Sequence, residues 1–351
     1  MSFDLESAKA FALKVWQYKQ GEVVSAMVFL GDRLGLYHSL YTQGPATSEL
    51  LAEATGYNER WLREWLLSQA AAGLIERAEG GMYSMTDEQA AVLVDEDSLL
   101  FATAAFGGGF TREDYDRMSH SMETGIGFTY GEIGVDAARQ IDRTNAPWLR
   151  NFLPTVVMPL MEDVDVKLAA GGRVLDIGCG GGVALQGLSE RYPNSHFVGL
   201  DSSGPAIEVA RERFGERDNV EFRLAGGETL DDSDRFDFVM TLDCMHDMTR
   251  PDLTAKAVHG SLAEDGTWLI KEIKCGPTYE SNQRNPLQAL MYGYSVSSCL
   301  PSATVTEDGL GLGTLGLDPD TLEEMVRGAG FTQFEMLETP DPVHFYYRVR
   351  H

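Results

Sequence analysis

Val174-Leu-Asp-Ile-Gly-Cys-Gly-Gly-Gly-Val183 is the stretch that decides the fold of this chain. A run of apolar, β-forming residues passes straight into a glycine turn, and the residues beyond it suit a helix. Glycines let a backbone approach a ligand closely, with N–H groups turned toward it. The spacing narrows the ligand. A dinucleotide site reads GxGxxG and cradles a pyrophosphate. Here the order is Asp-x-Gly-x-Gly-x-Gly, with Asp176 ahead of the turn and Gly178 and Gly180 inside it. An acid at that place repels a pyrophosphate but attracts the ammonium of an amino-acid moiety. S-Adenosylmethionine (SAM), with a methionine tail and no phosphate, meets the requirement; S-adenosylhomocysteine would be its product.

A second acid follows in step. Asp201 closes Val198-Gly-Leu-Asp201, and an acid at the tip of the next strand accepts hydrogen bonds from both hydroxyls of a ribose. Either acid alone could cap a helix instead; the pair, each at an expected strand end, favours the cofactor. From Gly172 onward, strands are expected over 173–177, 196–200, 220–224, 236–242, 267–273, 333–337 and 343–350. Helices fit between them, among them 205–214 and 251–262. Asp318 caps another, with Pro319 at its first position and Gly328 near its end. The alternation predicts an α/β fold with a Rossmann-like, doubly wound sheet. In the last strand Val343, Phe345, Tyr347 and Val349 alternate with His344, Tyr346, Arg348 and Arg350, which predicts one wet face and an antiparallel strand inserted late.

The first 100 residues are of another kind. Val23, Val24, Met27, Leu30, Leu34 and Leu40 recur near a 3.6-residue period, so one helix is expected over 22–40, ended by Gly44-Pro45. Thr47 or Ser48 can cap a short helix and Asn58 a third. Two short runs around Gly80-Gly81 then suggest a small hairpin. Three helices and a hairpin make a winged helix-turn-helix, here a mostly helical N-terminal domain. Its charge is wrong for DNA: residues 1–100 hold 15 acids and 7 bases, and Glu59 and Glu64 offset Arg60 and Arg63. The whole chain, 351 residues with a formal net charge of −26, lacks the cationic footprint that nucleic acid or anionic lipid requires. No apolar run approaches the ~18 residues of a membrane span, and no signal-peptide pattern opens the chain. Four scattered cysteines without CxxC give neither a zinc motif nor a disulfide framework. These features predict a soluble cytoplasmic protein with no nucleic-acid or membrane partner and no metal. The expected division is a winged-helix domain of the dimerisation type over 1–100, a helical connector over 101–170 that contributes to the active site, and the cofactor domain over 171–351.

Over 171–350 the chain resembles the class I SAM-dependent methyltransferases. The resemblance implies seven strands ordered 3-2-1-4-5-7-6, the seventh antiparallel. It carries Gly178 and Gly180 to the methionine part of SAM, Asp201 to the ribose, and Ser202 to a place beside the adenine. Where the family often has an Asp facing the adenine amino group, this chain has Leu224-Ala-Gly-Gly-Glu228. Backbone carbonyls of that run, which includes Gly227, or the Glu228 carboxylate are left for the role. The whole chain is similar to a narrower bacterial group of winged-helix methyltransferases first described from mycobacteria. That likeness rests on the winged helix, on Gly125-Ile-Gly-Phe-Thr-Tyr130, and on the segment from Asn285-Pro-Leu through Gly309-Leu-Gly-Leu-Gly313. The group is a cousin of the caffeate-type O-methyltransferases, whose winged helix serves dimerisation, which implies a homodimer through the N-terminal helices.

The fourth strand runs into Thr241-Leu-Asp-Cys-Met-His-Asp-Met248, at the sheet edge where ligands bind in open α/β folds. In caffeate-type enzymes a His-Asp pair at this place supplies the general base, so the resemblance points to His246 with Asp247. A phenol with a pKa near ~10 must lose its proton as its oxygen attacks the methyl carbon, and histidine, near ~6.5, suits the task. His246 could instead cap the following helix. Asp243 contacts the cofactor or caps a turn. Glu272, closing the fifth strand, orients His246 or the acceptor. The stretch 275–315 is too long for a plain connection. It is expected to form the lid of the acceptor pocket, with Met291 and Tyr292 on it and Tyr130 opposite. The reading is a methyltransferase acting on a small molecule, at oxygen. One rival keeps the cofactor and methylates a thiol or thioether by proximity. Another, a ligand-sensing regulator with a vestigial enzyme domain, would show a basic recognition helix or a broken glycine loop, and neither is present.

Overall fold

The computed structural model describes residues 3–231, 233 and 235–351. Two compact units result: residues up to Phe110 together with Arg143–Pro147, and Thr111–Asp142 together with Trp148–His351. The connector expected over 101–170 is thus shared between the two.

In the first unit Asp4 caps a long helix, Leu5–Arg33, its carboxylate accepting the Glu6 N–H at 3.0 Å. The single helix expected over 22–40 is broken, because Gly35 takes φ 65° and a new helix, Leu36–Gln43, starts behind it. Only glycine enters that left-handed turn without a steric penalty. Thr47 caps Ser48–Thr55 and Asn58 caps Glu59–Ala71. The two-residue strands Glu76–Arg77 and Tyr83–Ser84 pair antiparallel, and Ala46 bridges to Tyr83. Tyr37, Leu40, Leu51, Leu62 and Leu66 fill this core. On the third helix of the winged motif Arg60 pairs with Glu64 and Arg63 with Glu59, so each arginine is neutralised on its own helix.

The second unit is built on seven strands: β1 (Arg173–Ile177), β2 (His196–Asp201), β3 (Val220–Leu224), β4 (Phe236–Leu242), β5 (Leu262–Ile273), β6 (Gln333–Leu337) and β7 (His344–Arg350). Their order is β3-β2-β1-β4-β5-β7-β6. All pairs are parallel except those of β7, which runs antiparallel between β5 and β6. Alternate residues serve two cores. Val174, Phe197, Phe238, Leu269 and Tyr346 face one; Leu175, Val198, Val239, Ile270 and Tyr347 face the other. Phe236 and Phe238 share a parity yet lie in different cores, because the β4–β5 register shifts between them.

Three expectations change. β5 begins at Leu262, five residues earlier than its apolar run suggested. β7 has no wholly wet face: Tyr346 is buried against Trp148 and Phe152, and the Trp148 indole N–H donates to its hydroxyl at 2.8 Å. The last part of the helical connector expected over 101–170 is broken into three pieces, a wide π-type turn over Trp148–Val157, a tight turn over Met158–Leu160 and a helix over Glu162–Ala170. Pro154 and Pro159 interrupt it, since proline supplies no N–H for a regular ladder. Among the described residues no helix is long and apolar enough to cross a membrane.

Leu269, with no exposed surface, sits mid-strand in the first of these cores. Leu269→Ala is expected to destabilise this unit by about 2–5 kcal/mol. Denaturant unfolding followed by tryptophan fluorescence would show the shift.

Candidate active site

The C-terminal ends of β1, β2, β4 and β5 form the crevice. Asp176, one residue short of the end of β1, is buried among apolar neighbours. Burial, reinforced by the charge of Asp201, pushes its carboxyl up to about 8. Gly178 follows at φ 73°, and a Cβ there would lie 2.8 Å from Cys244 Cβ, so the site demands glycine twice over. The N–H groups of Gly178 and Cys179 both donate to the Leu200 carbonyl, which ties the turn to β2.

Asp201 closes β2. One of its carboxylate oxygens accepts the Ser203 N–H at 2.8 Å and the other the Gly180 N–H at 2.9 Å. Burial raises its proton affinity, and those two N–H groups offset part of the rise. Ser202 beside it is exposed. After β3 the Glu228 carboxylate folds back over Gly226, while Gly227 is buried against Thr254 and Ile177. These residues bring the glycine turn, two acids and the 226–228 turn to one end of the sheet. Arg213 braces the loop from below, donating to the Gly181 carbonyl and pairing with the buried Asp142.

His246 and Glu272 meet as the expected strand ends imply. Glu272 is buried at the end of β5, and both its oxygens are engaged. Oε1 accepts the Met245 N–H at 2.8 Å, and Oε2 lies 2.7 Å from His246 Nδ1, whose N–H donates to it. Burial opposes a charge on the imidazole, but Glu272 outweighs it, with help from Cys299 and Asp247, and His246 holds a proton more tightly than free imidazole. Asp247, next in sequence, has its carboxyl pushed up to about 7, chiefly by burial. The Tyr130 hydroxyl is hydrogen-bonded to Asp247 and lies 3.9 Å from Cys299 Sγ; burial and the Asp247 charge hold it well above the usual phenol range.

Tyr130 and Cys299 arrive on two segments that cross. The Gly127 N–H donates to the Thr304 carbonyl at 2.9 Å, and a Cβ on Gly127 would strike the Pro301 backbone. About half of the stretch 275–315 is helical, with turns over Tyr279–Asn282, Gln288–Tyr294, Ser295–Cys299 and Leu300–Ala303. Tyr292, expected on the pocket wall, is 39% exposed and stacks on Tyr279, with ring centroids 6.2 Å apart. Its ring is thus engaged at the surface and does not join the group around His246. Met291 is half-buried on the same helix.

Asp243 has a different setting from the one expected. It is the one non-glycine residue with positive φ among those described, at 60°. Its Oδ2 lies 2.5 Å from Lys271 Nζ and 3.0 Å from His344 Nε2, and the other nitrogen of His344 is 3.0 Å from Asp341. Burial alone would raise the Asp243 carboxyl, but His344 and Lys271 hold it well below the usual range. Lys271 Nζ also sits 4.3 Å above the Trp148 ring. Lys271, His344 and Cys299 were not singled out as partners by sequence reasoning. A signal for the first was available: Lys271-Glu272 puts two charges in a row into an otherwise apolar strand.

Comparison with known proteins agrees with this architecture. Residues 174–266 match the family described as methyltransferase domain, and residues 22–95 match the Rv2258c-like winged HTH domain. A ubiquinone biosynthesis O-methyltransferase of Alkalilimnicola ehrlichii is 33% identical over 139 residues, which is 38% of this chain and 52% of the relative. The chain therefore spans about half the length of that relative. Human N-acetylserotonin methyltransferase, solved in complex with SAM, superposes with a TM-score of 0.63 at 17% identity, covering 99% of this chain and 98% of that one. A Nostoc punctiforme protein described as an O-methyltransferase gives a TM-score of 0.70 at 17% identity over 99% of both chains. At such identities the solved structures speak for the fold alone. The chain thus carries a region matching an Rv2258c-like winged HTH domain, followed by one matching a methyltransferase domain.

Proposed function

We propose that this protein transfers the methyl group of SAM to an oxygen of a small-molecule acceptor, with His246 as general base. The observation that carries the reading is the 2.7 Å contact between His246 Nδ1 and Glu272 Oε2 at the ends of the fourth and fifth strands. With Nδ1–H committed to Glu272, Nε2 is the nitrogen left to take a proton. In the reaction the acceptor oxygen bonds to the methyl carbon and the carbon–sulfur bond breaks. The electron pair returns to sulfur, and the acceptor proton passes to Nε2. A phenol, whose pKa lies near ~10, needs such an acceptor for its proton as its oxygen bonds to the methyl carbon. Asp176 takes the ammonium of the cofactor, Asp201 its ribose, and the 226–228 turn with Ser202 the adenine side. Asp247, held by Tyr130, borders the acceptor. Asp243, whose Oδ2 is bound to Lys271 and His344, supports this floor instead of accepting from the cofactor.

The exposed apolar side chains around the helix Leu5–Arg33 support a second reading about assembly. Phe11, Leu13, Trp16 and Tyr18 are each more than 60% exposed, which supports a homodimer through this helix. The four free cysteines fit a reducing cytoplasm.

Three outcomes test these assignments. His246→Ala is expected to slow transfer to phenols about 10²–10⁴-fold, and Glu272→Gln to slow it less. Transfer to a thioether, which has no proton to lose, would survive both changes. If labelled SAM methylates only sulfur acceptors and His246→Ala costs nothing, the oxygen reading is wrong. Second, SAM affinity is expected to rise with pH from 6 to about 7.5, by up to about tenfold per unit. Asp176, protonated below about 8 in the free protein, must ionise to pair with the ammonium. Above that range the ammonium itself begins to lose its proton, near ~7.7–8.0. Calorimetry in buffers of different ionisation enthalpy should show proton release below pH 7.5, absent in Asp176→Asn. Third, Phe11→Glu combined with Trp16→Glu is expected to convert a dimer into a monomer by sedimentation.

A further inference from the structure

We propose that His246, Asp247 and Cys299 form a binding site for a single thiophilic divalent cation of the zinc type. One potential ligand atom from each of the three lies within 4.8 Å of the others. His246 and Cys299 are buried, and Asp247 is half-buried. The donor set is one imidazole nitrogen, one sulfur and one carboxylate oxygen. Three protein donors of this mixture with a fourth position open are the pattern of a reactive zinc site, and the soft sulfur disfavours magnesium and calcium.

The surroundings are those a metal ligand needs. Ligating histidines commonly donate their second ring N–H to a carboxylate, which fixes the tautomer and strengthens the free nitrogen. Glu272 is in that role, and it leaves Nε2 to face Cys299 and Asp247. Tyr130 holds the Asp247 carboxylate through its hydroxyl. Charge points the same way. A dication joined by a Cys299 thiolate and an ionised Asp247 is neutral overall, which removes the difficulty of burying these acids beside Glu272. A tetrahedral zinc would draw its ligands about 1 Å closer than the widest spacing seen here. Asp247 and His246 are neighbours after the fourth strand, whereas Cys299 rides on the helical 275–315 segment, so the site exists only when that segment is seated. Binding displaces the thiol proton to solvent as the Cys299–metal bond forms. It also takes the nitrogen that would serve as base, so metal and proton compete for one lone pair.

The test needs neither SAM nor acceptor, so its result is independent of the methyl-transfer reading. Metal-free, reduced full-length protein is titrated with Co²⁺, and absorbance is followed. The expected result is saturation at one equivalent with a thiolate-to-cobalt charge-transfer band and tetrahedral visible bands. Zn²⁺ should displace the cobalt. Cys299→Ser and His246→Ala are each expected to abolish the charge-transfer band or weaken binding at least about 100-fold. Cys275→Ala should retain it. Circular dichroism confirms that the variants are folded, and Cys299→Ser keeps the volume of the site. Absence of the band in the folded wild type, or its survival in both Cys299→Ser and His246→Ala, would overturn the assignment. Methyl transfer that proceeds fully in chelator would leave the catalytic reading intact whichever result is obtained.

Discussion

A buried carboxylate is costly unless its oxygens find hydrogen-bond donors. Glu272 meets that demand with two donors from one short turn, the Met245 N–H and the His246 Nδ1–H. Much else follows. The clamp fixes the turn after β4 against the end of β5 and thereby places Cys244, whose thiol donates to the Ile177 carbonyl at 3.2 Å. Cys244 in turn forms the surface on which Gly178 lies, so the path of the glycine loop is set partly from the far side of the crevice. An acid on the fifth strand thus shapes a loop after the first.

The alternation of β5 gives neighbouring residues separate tasks. Glu272 orders the His246 turn. Lys271, pointing to the other face, anchors Asp243 and joins a ring of polar and aromatic contacts through His344, Asp341, Tyr346 and Trp148. The left-handed backbone at Asp243 lets its N–H donate to the Lys271 carbonyl at 2.8 Å while its side chain meets the same residue's ammonium. Removing one partner of such a buried pair typically costs about 3–5 kcal/mol. The two networks meet through the backbone, between Asp243 and Met245 on one side and between Lys271 and Glu272 on the other.

Sequence periodicity and turn chemistry were enough for the strands of the sheet, and the acids at their tips stood out because each followed an apolar run. The strand order came from resemblance, since spacing alone does not specify which strands are neighbours. The misses share a cause. The apolar series 22–40 was read through Leu34 to Leu40, so the break at Gly35 is silent in the pattern. Tyr346 looked wet because alternation marks it as the face opposite Tyr347, yet that face is covered by Trp148 and Phe152, residues almost 200 positions earlier. Cys299 is one ordinary residue in a long insertion until folding sets it beside His246. In each case the deciding partner is distant in sequence, and local pattern carries no information about it.

The two acids of the glycine crevice repel each other when both are charged, which adds to the larger effect of burial in raising the Asp176 carboxyl. A cation entering there relieves that repulsion. SAM brings two positive groups, its ammonium and its sulfonium, but after transfer the sulfur is neutral. Held against these acids as proposed, the spent cofactor would face them with one charge fewer, and the electrostatic pull that favours loading would weaken at the moment the product has to leave. A crevice used in that way would be biased toward exchange, with turnover helped by the charge lost in the reaction itself.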